Sequence, residues 1–204
     1  MYAPAVQRAP VGLLRRTAVY ICLILMGYLL QVCVVPRIAI RGAVPNIPFI
    51  IIGIITVARG KLRGFWSGLL YGILMEIMVP NVLYMNLAIY SLSSLFCSFP
   101  FADKSVKTLE YERATKSNRK ELAPWIRTIL CILMNAAVYE IVHLTYIYLG
   151  GNALTVGHFF RSAGTLVYTV LLGALLQLPL RRILLGPRLY SKQMVSTPVV
   201  FQKA

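Results

Sequence analysis

Six apolar segments, separated by polar or basic breaks, set the pattern of this chain. Residues 17–36, 42–58, 77–102 and 162–180 contain no Asp, Glu, Lys or Arg. The stretch 64–80 holds only Glu76, and 128–149 holds only Glu140 and His143. A helix needs about 20 residues, and at least about 17, to cross the hydrocarbon core. The pattern therefore predicts an all-α membrane protein with six transmembrane helices, at about 17–36, 42–58, 64–80, 82–101, 128–149 and 162–180. Pro45 and Pro48 crowd the start of the second span, where proline in a first turn is tolerated. Around this transmembrane domain (17–186) lie a segment 1–16, a polar connection 102–127 and a tail 187–204 expected to be flexible. Within the connection, Glu112 and Lys116 have the spacing of a helical pair.

Composition agrees with the pattern. Of 204 residues, 58% are hydrophobic and 13% charged, and mean hydropathy is +0.72; soluble globular chains lie well below this. The net charge of +15 would suit nucleic acid, but the basic residues fall where membrane insertion requires them. With the N-terminus in the cytoplasm, 18 of 21 Lys and Arg face inward, and only Arg37, Arg41 and Arg161 face outward. Both termini are thus expected inside, in a multi-pass membrane protein that binds no nucleic acid. Arg15 and Arg16 precede an apolar run too long for a cleaved signal peptide, and no small-x-small site follows it. Cys22, Cys33, Cys97 and Cys131 all fall within spans without CxxC spacing, which points to apolar filling rather than disulfide or metal use.

One span stands out. Glycine recurs at Gly60, Gly64, Gly68 and Gly72, and Glu76 extends the row. In lipid, helices associate through close backbone contact at small residues. The four glycines are therefore read as a helix-packing row that places span three at the centre of the bundle. Ser91, Ser94 and Ser98 on span four, or Thr165, Thr169 and Gly173 on span six, would face it. Leucine on the row should separate the helices, whereas alanine should be mild.

Glu76, Asn86, Glu140 and His143 are the polar residues within spans that invite a functional reading. An ionised side chain at mid-bilayer costs roughly 2.5–3.5 kcal/mol, so such groups face protein rather than lipid. Glu76 and Glu140 each lie 12 residues into parallel spans, roughly 18 Å along the axis. They could share one depth, and if they met without a cation at least one would be protonated. Glu140 and His143 share a helical face by their i, i+3 spacing. Carboxylate-bridged metal centres need a second such pair and two more glutamates, so neither a metal nor another cofactor is expected. His158 falls in a loop and reads as incidental. The chain has no P-loop, HExxH or GxSxG motif, so no enzyme is expected.

The segment "VPNIPFIIIGIITVARGKLRGFWSGLLYGILMEIM" resembles the MreD family of rod-shape-determining membrane proteins. Members typically open a span with Pro-Asn, turn through a basic glycine-containing loop, and enter a Gly-Phe-xx-Gly-Leu-like helix that ends in an acidic residue. Pro45, Asn46, Gly60, Gly64, Phe65, Gly68, Leu69, Leu70 and Glu76 match this pattern, and the likeness covers residues 44–97. The acidic residue is glutamate where aspartate is usual, and "VPNVLYMN" replaces a glycine-rich turn. The resemblance implies a non-enzymatic component of the bacterial cell-elongation machinery, located in the inner membrane, that binds MreC and, through it, MreB and the peptidoglycan synthases of the lateral wall. It also implies a fold similar to the substrate-binding subunits of energy-coupling-factor vitamin transporters. Such a subunit is the alternative reading. Those subunits commonly carry small-xxx-small pairs on the first helix, where this chain offers only Ala18 with Cys22.

Overall fold

A computed structural model describes residues 11–78, 84–101, 122–151 and 153–185. The expected flexible tail, the Glu112–Lys116 pair and the Pro80–Asn81 turn lie outside the described residues. Within them the chain forms six α-helices: α1 (Val11–Leu29), α2 (Ile47–Arg59), α3 (Lys61–Met78), α4 (Met85–Phe101), α5 (Pro124–Leu149) and α6 (Val156–Leu185). No strand occurs among the described residues. The described residues therefore form an all-helical bundle.

Three stretches are long and apolar enough to cross a membrane: Thr17–Ile38, Pro124–Leu149 and Val156–Leu184. The other three helices fall short of that by length or charge. Helix α2 has 13 residues and α4 has 17, while α3 carries Lys61, Arg63 and Glu76 within its 18. Large apolar side chains point outward on the long helices, as at Ile21, Leu25, Leu171 and Leu175, while Thr56, Ser67, Ser94, Asn135 and Thr169 are fully buried. Apolar outside and polar inside is the arrangement of a protein solvated by lipid.

Helix α1 does not stop at Leu29. It runs through a π-turn (Leu30–Val34) into a 3₁₀ turn (Val35–Ile38), because Pro36 lacks the amide that would continue an α-ladder. A two-residue turn then closes between Ile40 and Ala43 through paired backbone hydrogen bonds of 3.1 and 2.9 Å. Its central residues, Arg41 and Gly42, both have positive φ, which is a type I′ geometry.

The centre of the bundle is α2, not the third span expected from the glycine row. Every residue from Ile47 to Val57 is buried, and α2 touches all five other helices. Helix α3 buries only its glycine face: Gly64, Ser67, Gly68, Tyr71 and Gly72 are covered, while Leu62, Trp66 and Ile77 lie open. The isoleucine-rich α2 is apolar all round, and such a helix has no face to give to solvent. A helix surrounded by protein also has no need to reach either membrane surface. Both ends are tied to other helices: the amide of Ile47 donates to Gln31 Oε1 at 2.8 Å, and the Arg59 guanidinium donates to the Leu184 carbonyl at the end of α6.

Candidate functional site

The start of α2 is tied to three other helices by hydrogen bonds. Asn46, just ahead of the helix, has no side-chain cap of its own there, so its polar groups look elsewhere. Its amide donates to Thr169 Oγ1 on α6 at 3.0 Å. Its side-chain Nδ2 donates to the Tyr90 hydroxyl on α4 at 3.1 Å, and two residues earlier the Val44 amide donates to Thr165 Oγ1 at 3.3 Å. Below this node Phe49 stacks on Tyr90 at 4.7 Å between centroids, with Tyr139 of α5 edge-on to Phe49 at 5.5 Å.

Above the aromatic floor opens a cleft of about 220 Å³ whose polar walls are Gln31, Asn46, Glu140, His143, His158 and Arg161. Four parts of the chain meet here: the π-turn of α1, the entry to α2, the last third of α5 and the first turns of α6. Glu140 is buried, with the Ser162 hydroxyl in hydrogen-bonding reach and His143 and Arg161 close enough to act on its charge. His143 stacks on Tyr139 with ring planes 11° apart. His158 is fixed by Thr155, whose amide donates to Nδ1 at 3.3 Å. The cleft thus offers one buried carboxylate, two imidazoles and a guanidinium, beside the amides of Asn46 and Gln31. That set can hold a small polar group carrying both hydrogen-bond donors and acceptors. A typical ligand pocket measures about 300–1,000 Å³, so this cleft suits a headgroup-sized moiety rather than a whole vitamin. Among the described residues no three His, Cys, Asp or Glu side chains gather as metal ligands.

Two sequence expectations need correction at this site. His158 is not an incidental loop residue; it lies in the first turn of α6 and lines the cleft. Glu76 and Glu140 do not share an arrangement. Glu76 Oε1 accepts the amide of Tyr84 at 2.7 Å, and Oε2 accepts that of Asn86 at 3.0 Å. The carboxylate of α3 therefore caps α4 across the hairpin, satisfying amides that a helix start leaves without internal partners. Asn86 is itself buried and lines a second cavity of about 470 Å³ with Tyr139, His143 and Tyr146. Sequence reasoning missed Gln31, Asn46 and Arg161 as members of the cleft. A glutamine inside one apolar run and an arginine just ahead of another carry no local signal of a shared destination.

The glycines divide in two. Gly60 is not a packing residue. It ends α2 at φ 95° and ψ 166°, a region open essentially to glycine alone, and a Cβ there would meet nothing within 4 Å. The other three face neighbours. Gly64 abuts Thr56 of α2, Gly68 abuts Ser94 and the Tyr90 carbonyl of α4, and Gly72 abuts the Leu87 backbone. Helices α3 and α4 form the most extensive helix pair in the molecule.

Comparison with protein-family models, with curated proteins and with solved structures finds no match for this chain.

Proposed function

We propose that this chain is a non-enzymatic membrane component of a bacterial elongation complex of the MreD kind. In this reading it binds MreC and helps to organise lateral-wall peptidoglycan synthesis from the inner membrane. The support is the resemblance over residues 44–97, whose distinctive positions have structural work to do in this chain. Asn46 anchors the α2 entry to α4 and α6, Gly60 makes the α2–α3 turn, Gly68 and Gly72 let α4 approach, and Glu76 caps α4. The alternative, a substrate-binding subunit of an energy-coupling-factor transporter, draws on one observation, the polar cleft around Glu140, whose volume of about 220 Å³ is small for a vitamin. Affinity purification from native membranes separates the two. Recovery of MreC is the expected result; recovery of an ATPase pair with a transmembrane coupling subunit would replace this reading with the alternative.

The same proposal includes six crossings with both termini in the cytoplasm, which puts the cleft on the outer side. After replacement of the four cysteines, all free thiols, a cysteine at Ala153 is expected to react with an impermeant reagent applied to intact cells. One at Leu122, half exposed ahead of α5, is expected to react only after lysis. Labelling of the Leu122 site in intact cells would reverse or discard this topology.

A further inference from the structure

Beside the cleft, an apolar groove of about 500 Å³ runs along α6, walled by Arg41, Phe160, Arg161, Gly164, Val167 and Leu171. Arg161 belongs to both spaces, so polar cleft and apolar groove are continuous at one guanidinium. A second, Arg41, stands on the tip of the I′ turn that borders the groove. The aliphatic part of Arg161 passes beside that turn, where a Cβ on Gly42 would lie 4.0 Å from its Cδ. Only two carboxylates occur among the described residues, Glu76 and Glu140. Glu76 is engaged at α4, and Glu140 opposes Arg161 from the cleft side, so two guanidiniums face one carboxylate and the mouth of the groove keeps a net positive charge.

An occupant must therefore be anionic at the mouth, apolar along α6 and small and polar toward the cleft. A soluble anion leaves the apolar wall bare; an uncharged chain leaves the arginines unused. We propose that the groove binds an anionic glycerophospholipid of the surrounding bilayer, with its phosphate between Arg41 and Arg161, an acyl chain along Val167 and Leu171, and its headgroup hydroxyls turned into the cleft. Glu140 decides the placement. Its carboxylate repels a phosphate from the cleft interior but accepts hydrogen bonds from hydroxyls, so the phosphate stops at the mouth. The inference rests on α6 lying in a membrane and is independent of any role in cell elongation.

The test uses the full chain purified in detergent, offered equal amounts of phosphatidylglycerol and phosphatidylcholine of matched chain length and read by native mass spectrometry. An arginine near an anionic lipid contributes about a fivefold preference, so two give about twenty-five-fold retention of phosphatidylglycerol. Arg41→Gln and Arg161→Gln are each expected to lower that ratio about fivefold. Arg37→Gln, at an exposed residue on the neighbouring 3₁₀ turn that does not line the groove, should leave it unchanged. Excess glycerol 3-phosphate should not displace the lipid. Equal retention of the two lipids, or an Arg37→Gln loss equal to that of Arg41→Gln, would overturn the proposal. Displacement by glycerol 3-phosphate would overturn it too, in favour of a soluble anion site. If Arg161→Gln fails to fold, Arg41→Gln, on a surface turn, decides the matter alone.

Discussion

Gly72→Ala is expected to destabilise the protein by about 1–3 kcal/mol, the usual range for forcing extra volume into a packed interior. One methyl group is a small change, and on a generic glycine row it would be tolerated. Here an added Cβ would stand 2.8 Å from the Cα of Leu87 and 3.2 Å from its carbonyl oxygen. Both atoms are backbone, so no side-chain rotation can clear the space; α4 itself must move. Gly68 presents the same obstacle, with the Tyr90 carbonyl 2.6 Å from the built Cβ. Gly64 differs in part: the atom nearest its built Cβ is the Thr56 hydroxyl, which can turn, although Thr56 Cβ at 3.0 Å and Cα at 3.3 Å stay in place. The expected order of damage for alanine is thus Gly72 and Gly68 first, then Gly64, each by helix separation. Leucine at Gly68 or Gly72 should prevent accumulation of folded protein. Thermal unfolding in detergent, read with membrane abundance, checks the order. Equal thermal stability of Gly72→Ala and the parent would show that α3 and α4 are not in backbone contact. This revises the sequence-based expectation that alanine is mild anywhere on the row.

Replacing Glu76 should produce a graded loss. The side chain holds two amides at the start of α4, one on each oxygen. Charge-assisted hydrogen bonds contribute more than neutral ones, about 1.5–3 kcal/mol each where fully formed. Partial exposure of this carboxylate reduces that, so Glu76→Ala is expected to cost about 2–3 kcal/mol in all. Glutamine is not an innocent replacement. Its one carbonyl oxygen can accept one amide, but its NH₂ group would face the other, donor against donor. Glu76→Gln should therefore fall about midway between parent and alanine in thermal stability. A glutamine variant as stable as the parent would mean that one acceptor suffices. An alanine variant as stable as the parent would remove the capping role altogether.

The apolar runs alone carried the fold class, because a chain with so few charges between residues 17 and 101 can satisfy its backbone in lipid only by coiling into helices. The extents of the stretches Thr17–Ile38 and Pro124–Leu149 were nearly as legible, whereas the last helix spans Val156–Leu185 where 162–180 was expected. The i, i+3 spacing of Glu140 and His143 likewise put both on one face without reference to any other helix. Local periodicity speaks only for its own segment, and there the reading stopped. The glycine row announced a close approach but could not say that α4 would supply it, nor that the all-apolar α2 would take the centre. Gly60 looked like a member of the row by spacing, yet its backbone conformation belongs to a turn. Glu76 read as a charge buried in the bilayer, and it became a cap only because the chain folds back to bring Tyr84 and Asn86 beneath it. The cleft depended on tertiary structure most of all. Gln31, Asn46, Glu140, His158 and Arg161 come from four separate parts of the chain, and their meeting is set by how helix ends pack, which no spacing within one helix encodes.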